Sequence, residues 1–176
     1  SVFAVDTEGF LYTCGYNAYK QLRTGNTTNS QYLSRIPKSF FGNRPIVYVT
    51  SSSCQYPAVY AITDDGRCWT WGQNDNGQLA NDNETDQDTP TDITAVSGSP
   101  LNGKRIRHVM GSDGNANTTR IWFLTTDGEV FTCGHNESYG NYTGAIVSVS
   151  NTDLDLPTPL TDAATTINSD GQKVVA

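Results

Sequence analysis

The sequence predicts an all-β protein built from short antiparallel strands in about three repeats, and two observations carry that expectation. One unit recurs without a gap at residues 2–15, 59–72 and 121–134, spelled VFAVDTEGFLYTCG, VYAITDDGRCWTWG and IWFLTTDGEVFTCG. The composition agrees: 16 glycines, one methionine and 16% charged residues in a chain of 176, rich in Ser, Thr and Asn, describe many polar turns. A unit recurring at long spacing marks a repeat architecture, in which each copy buries its apolar faces against its neighbours.

Each copy presents its elements in one order. An apolar run, an acid-Gly pair at Glu8-Gly9, Asp65-Gly66 or Asp127-Gly128, and a second apolar run ending in Thr-x-Gly read as a β-hairpin. Glycine suits the positive φ of such turns. A polar loop follows, then a proline segment at Arg35-Ile36-Pro37, Thr89-Pro90-Thr91 or Leu156-Pro157-Thr158, then a further strand at 46–49, 106–109 or 173–176. The repeats are therefore 1–57, 58–119 and 120–176, forming one domain or part of a larger one. In Arg67-Cys68-Trp69-Thr70-Trp71 the aromatics alternate, and Cys68 shares the opposite phase with Leu11 and Val130. A small sheet that is apolar on both faces needs a neighbour on each side, as radially or linearly stacked sheets provide. No segment shows an amphipathic helical pattern.

The second copy continues as Trp71-Gly72-Gln73-Asn74-Asp75-Asn76-Gly77-Gln78-Leu79, which resembles the W-G-x-N-x-x-G-Q-L signature of the regulator of chromosome condensation repeat. Asn17, Gln21 and Leu22 match in the first copy, and Gly134, Asn136 and Gly140 in the third. Cys14 and Cys133 stand where the signature has tryptophan, and Ala80 replaces its usual trailing glycine. The resemblance spans nearly the whole chain and implies β-propeller-like blades. Its motif residues here are Gly15, Trp71, Gly72, Asn74, Gly77, Gln78, Leu79 and Gly134. Because the family usually closes seven blades, three blades are incomplete. They read either as a fragment of a longer propeller or as a subunit completed by neighbouring chains, whose strand edges template pairing. The chain opens at Ser1 rather than Met, which suggests processing or excision.

Charge and motif content narrow the function. A net charge of −7 argues against nucleic acid and against anionic membranes, and no apolar stretch approaches the roughly 20 residues of a bilayer span. Catalysis has little material: His108 and His135 are the two histidines, and no nucleophile elbow, phosphate loop or metal-binding spacing occurs, so no enzyme, cofactor or metal is expected. The acidic run Asp82, Glu84, Asp86, Asp88 lacks a regular calcium-loop pattern. Cys14 and Cys133 share one phase of different blades and are not expected to pair. All four cysteines are expected as buried thiols, with a bridge from Cys54 to Cys14 or Cys68 left open.

Sequons occur at Asn26, Asn83, Asn117, Asn136 and Asn141, and the separation of Asn26 from Asn83 equals that of Gly15 from Gly72. Glycans on Asn26, Asn83, Asn141 and Asn117 would fit one loop per blade and an extracellular surface. The leading expectation is therefore a non-catalytic, extracellular, glycosylated building block of a surface assembly or filament, self-associating with neighbouring copies or further blades. The resemblance implies an alternative, an intracellular protein-interaction propeller acting on a small GTPase or signalling partner. A third reading, a glycan-binding lectin, would use Trp69, Trp71 and Trp122 as stacking surfaces.

Overall fold

A computed structural model describes residues 1–52, 57–111 and 119–134, together with the backbone of Leu154–Pro159. It contains three antiparallel sheets. The first is β1 (Val2–Val5), β2 (Leu11–Gly15) and β3 (Ser30–Ile36); the second is β4 (Ile46–Ser51), β5 (Ala58–Thr63), β6 (Cys68–Gly72) and β7 (Gln87–Asp92). The third is β8 (Ile106–Gly111), β9 (Arg120–Thr125), β10 (Val130–Gly134) and β11 (Leu154–Pro159). The repeated units are the hairpins β1-β2, β5-β6 and β9-β10. Gly9, Gly66 and Gly128 turn them with φ of 80°, 84° and 88°, a region where a Cβ is strained.

The repeated Thr-x-Gly is a register shift: pairing with the next strand slips between Thr13 and Gly15, Thr70 and Gly72, and Thr132 and Gly134. At the last two, a Cβ on the glycine would lie 2.5 Å from the carbonyl oxygen of Pro57 or Thr119, so the backbone approach itself requires glycine. Thr13 and Thr70 donate their hydroxyls to the carbonyls of Leu22 and Leu79, tying the loop after each hairpin to its strand.

Strand alternation decides which sheet faces which. Along β5, Val59 and Ala61 turn toward the first sheet with Trp71, where they join Leu11, Ile36, Phe41 and Ile46 in one apolar cluster. Tyr60 and Ile62 turn the other way with Cys68, and meet Ile106, Val109, Ile121 and Phe123 of the third sheet. Every residue of β5 is buried, so the middle sheet is covered on both faces, as its two-sided apolar pattern predicts. Each large side chain removed from water in this way contributes about 1.5–3 kcal/mol.

Backbone bonds form a seam along the turn end. The Ile46 amide donates to the Gly9 carbonyl and the Ile106 amide to the Gly66 carbonyl, at 3.0 and 2.8 Å. The sheets are thus out of phase with the sequence repeats: β4 lies within residues 1–57 and β8 within 58–119, yet each pairs into the following sheet.

Some elements differ from the sequence reading. Thr89-Pro90-Thr91 is strand rather than connection, which proline permits because β7 lies at a sheet edge. Pro37 instead precedes a short 3-10 helix, Lys38–Phe41, too short to show a period; it places the Phe41 ring 5.9 Å from Trp69 and 5.8 Å from Trp71. Cys14, Cys68 and Cys133 are free thiols, which removes a bridge from Cys54 to Cys14 or Cys68. Cys68 and Cys133 are buried as expected, but Cys14 is half-exposed because its face of the first sheet has no described neighbour. Cys54, Asn117, His135, Asn136, Gly140, Asn141 and the strand expected at 173–176 lie outside the described residues.

Candidate functional site

The motif residues assemble a structural loop at one end of the sheets. Asn74 is fully buried; its Oδ1 accepts the Leu79 amide at 2.8 Å, and its Nδ2 donates to the Asn83 carbonyl at 2.6 Å. Gln78 accepts the Asn76 amide through Oε1 at 2.9 Å, and Gly77 takes φ 66° in the turn between them. The first copy repeats the scheme: Asn17 accepts from Leu22 and donates to the Asn26 carbonyl, and Gln21 accepts from Tyr19. Each loop then lends its glutamine carbonyl to side chains of the second and third sheets. The Gln21 carbonyl accepts Trp71 Nε1 at 2.8 Å, and the Gln78 carbonyl accepts the Tyr60 hydroxyl at 2.8 Å and lies 3.5 Å from Cys133 Sγ. Cys133 occupies the position of Trp71 one sheet on, so the acceptor is retained while the donor changes.

This loop also gives the matched sequons a structural reason. Asn26 Oδ1 accepts the Thr28 amide at 2.8 Å and Asn83 Oδ1 the Thr85 amide at 2.9 Å, so each Asn-x-Thr is a side-chain-closed turn beneath the central asparagine. The acidic run is likewise engaged. Asp86 accepts the Asn74 amide, and Asp88 binds Arg23 at 2.6 Å across the two sheets. Trp69 and Trp71 are packed against Phe41 at the sheet interface, so their faces serve the core rather than a sugar, and half-buried His108 rests on Tyr48 at 4.9 Å.

The opposite, hairpin-turn end carries a polar cleft of about 370 Å³ lined by Asp65, Arg67, Asp92, Thr94, Lys104 and Arg105 among others. The Gly66 turn and the loop between β7 and β8 position these groups. Arg67 reaches Asp65 at 3.3 Å and Asp92 at 3.4 Å, and Lys104 is paired with Glu129. Burial raises the Asp65 pKa, but the Thr63 hydroxyl, the Arg67 amide and the Arg44 and Arg67 guanidiniums outweigh it and hold the carboxyl below its ordinary value. Arg105 forms no ion pair with a described residue, and its stem covers Gly66, where a Cβ would come within 2.9 Å of the Arg105 Cβ. The cleft holds fixed charges of both signs, suited to docking rather than to proton transfer or nucleophilic attack. None of its basic residues stood out in the sequence. The available signal was their place beside the acid-Gly turn, as in Asp64-Asp65-Gly66-Arg67.

The model of the Regulator of chromosome condensation (RCC1) repeat matches residues 65–114, which include the best motif copy and the cleft. The serine/threonine-protein kinase Nek9 of Xenopus laevis is 28% identical over 148 residues, covering 82% of this chain and 14% of Nek9. The human E3 ubiquitin-protein ligase HERC2 is 31% identical over 148 residues, covering 80% of this chain and 3% of HERC2. The chain therefore spans a small part of the curated relatives it matches. Among solved structures, Prp20p of Saccharomyces cerevisiae superimposes with a TM-score of 0.67 at 16% identity, covering 93% of this chain and 36% of Prp20p. That likeness shows the fold: blades of a β-propeller.

These relatives correct the expected location. A protein kinase, a ubiquitin ligase and a protein whose structure is described with its binding to Gsp1p and histones belong to the cell interior, which overturns the extracellular reading. The periodic sequons that prompted it also close a turn in each loop. The repeated hairpins and the asparagine-centred loop agree with the match at residues 65–114: the chain carries the regulator of chromosome condensation type of repeat.

Proposed function

We propose that this chain is part of a propeller that works inside the cell as a protein-binding module, with a small GTPase as the partner class and the cleft beside the Gly66 turn as the contact surface. The cleft is the observation that supports this reading most. Arg105 is exposed, without an ion pair to a described residue, beside Arg67 and Lys104, whose carboxylate partners fix them in place. Fixed charges of both signs complement a protein surface, which offers both, better than a phosphate backbone, which offers one. The GTPase reading draws on the family resemblance and on Prp20p, described with binding to Gsp1p.

Binding of Gsp1p, prepared nucleotide-free and GDP-loaded, to the immobilised chain tests the proposal. The expected outcome is saturable binding that favours the nucleotide-free form, weakened about tenfold by Arg105→Glu. Absence of binding by either form at about 100 μM overturns the GTPase reading. A second reading, association with further blades or copies, is favoured by the outer face of the first sheet. Val2 and Leu33 are 54% and 60% exposed there, whereas Val59, the counterpart of Val2, is fully buried.

A further inference from the structure

Three strands end their sheets in one register. Among the described residues β3, β7 and β11 are outer strands, and Thr13, Thr70 and Thr132 pair with Ser34, Thr91 and Thr158. The Ile93 amide donates to the Cys68 carbonyl at 3.0 Å, so alternation turns the backbone groups of Ile93 and Thr91 toward β6 and those of Asp92 and Pro90 outward. The same outward places hold Pro157 and Pro159 on β11, and Leu33 and Arg35 on β3. Proline has no N–H to offer and is a means by which a sheet blunts its edge. β7 carries it at one outward place and β11 at both, whereas β3 keeps two donors. Tyr32, next to them, is 72% exposed. Thr89, in the register of Tyr32 on β7, is exposed too although the middle sheet is covered on both faces, so this edge stays open when faces are packed.

The open edge is also basic. Residues 9–63 hold Lys20, Arg23, Arg35, Lys38 and Arg44 and no Asp or Glu, within a chain of net charge −7. Arg23 and Arg44 are paired with Asp88 and Asp64. Arg35 and Lys38 form no ion pair with a described residue and are held over one ring, that of Phe10, at 4.6 and 4.1 Å. The Glu8 carbonyl fixes Lys38 Nζ at 2.6 Å, while the Asp6 carboxylate on the same turn is taken up by the Phe10 amide and the Tyr12 hydroxyl. We propose that the outer edge of β3 is a docking site for an acidic, extended segment of a partner protein. The segment adds a strand by pairing with the backbone of Leu33 and Arg35, and its carboxylates meet Arg35 and Lys38. Two observations commit the proposal to that occupant: unblunted donors require a peptide main chain, and unneutralised cations require carboxylates. A second copy of β3 would instead oppose like charges. The surface shares no residue with the cleft beside Gly66.

A labelled heptapeptide alternating glutamate with threonine, and its glutamine counterpart, test this on the full chain at low salt. The expected result is saturable binding of the glutamate peptide with a Kd under about 1 mM, at least about tenfold tighter than the glutamine peptide. Saturation should slow amide exchange at Leu33 about tenfold. Leu33→Pro and Arg35→Asp each install the residue that β7 carries at that place, and each should weaken binding about tenfold. No binding, or equal binding of the two peptides, overturns the proposal. So does Leu33 exchange that is unchanged at saturation; this is read in the parent, so it decides even where the proline variant does not fold. Unchanged affinity in a folded Leu33→Pro variant places the peptide elsewhere and overturns it. Leu33 protection that rises with chain concentration in the absence of peptide gives the edge to a second copy and overturns it as well. None of these outcomes depends on whether Gsp1p binds.

Discussion

Residues 16–29 and 73–86 are two copies of one loop, and they differ in what surrounds them rather than in how they are bonded. In each, an asparagine accepts from the leucine amide five residues on, donates to a sequon asparagine carbonyl and leaves a glutamine carbonyl for a side chain of another strand. In the first loop burial is confined to Asn17, Gln21 and Leu22. In the second, Gln73, Asn74, Asn76, Gly77, Gln78, Leu79 and Ala80 are all buried. The bonding follows from the local sequence, while the burial follows from a sheet covered on both faces. The comparison teaches that one motif can be marginal or essential according to its position in the stack.

The largest expected effect tests what the first loop supports. Trp71→Ala removes a fully buried ring from the first interface and leaves the Gln21 carbonyl without its donor, so a loss of about 3–5 kcal/mol is expected. Cys133→Ala, in the same register one sheet on, removes a single sulfur and should cost about 1 kcal/mol. Denaturant midpoints of the two variants check this. Equal shifts would show that the loop carbonyl, and not the volume of its donor, governs both interfaces.

A narrower contrast sets the two central asparagines against each other. Asn74→Ala strands the Leu79 amide and the Asn83 carbonyl in a loop buried along most of its length, and about 2–4 kcal/mol should be lost. Asn17→Ala breaks the equivalent bonds where much of the loop is exposed, so water replaces part of them and about 1–2 kcal/mol is expected. Thermal unfolding of both variants decides the point. A loss for Asn17→Ala as large as that for Asn74→Ala would break the claim that surroundings set the cost.

The unequal loops also show what was legible in the sequence. Hairpins, acid-Gly turns, the repeated glycines and the two-sided sheet could all be read, because strand alternation and positive-φ turns leave local marks at Gly66, Gly72 and β5. Strand β7 was not, because Pro90 is a breaker everywhere except at an edge, and edge position depends on the assembled sheet. The sequons were visible, but their turn role was not: Asn-x-Thr satisfies a glycan acceptor and a side-chain-closed turn equally well, and the Asn26 and Asn83 bonds show the turn. The cleft was hidden because Arg67, Asp92 and Arg105 come from three separate segments that meet only when the second and third sheets stack.

The smallest expected effect is the most selective, because it changes one atom type between the two loops. Asn29 Oδ1 accepts the Asn17 amide at 2.9 Å, and Asp86 Oδ1 accepts the Asn74 amide at 2.8 Å, so the first loop uses an amide where the second uses a carboxylate. Burial raises the Asp86 pKa above the ordinary value of 3.8, reinforced by Asp75 and only partly offset by the Asn74 amide and Lys20. Folded Asp86 therefore holds its proton more tightly than the unfolded chain does. Its contribution to stability is greatest below the ordinary carboxylate pKa and is lost as pH rises through the raised folded value. Asp86→Asn keeps the acceptor and removes the charge, so the variant should be more stable than the parent at pH 7. The gain should be under about 1 kcal/mol, since the side chain is only half-buried and water screens it. It should shrink to nothing below about pH 4, where the parent carboxyl is itself neutral. Melting temperatures of parent and variant from pH 3 to 8 read this directly: a gain that stays constant across the range would mean that Asp86 is not strained by its burial and that the two loops differ in name only.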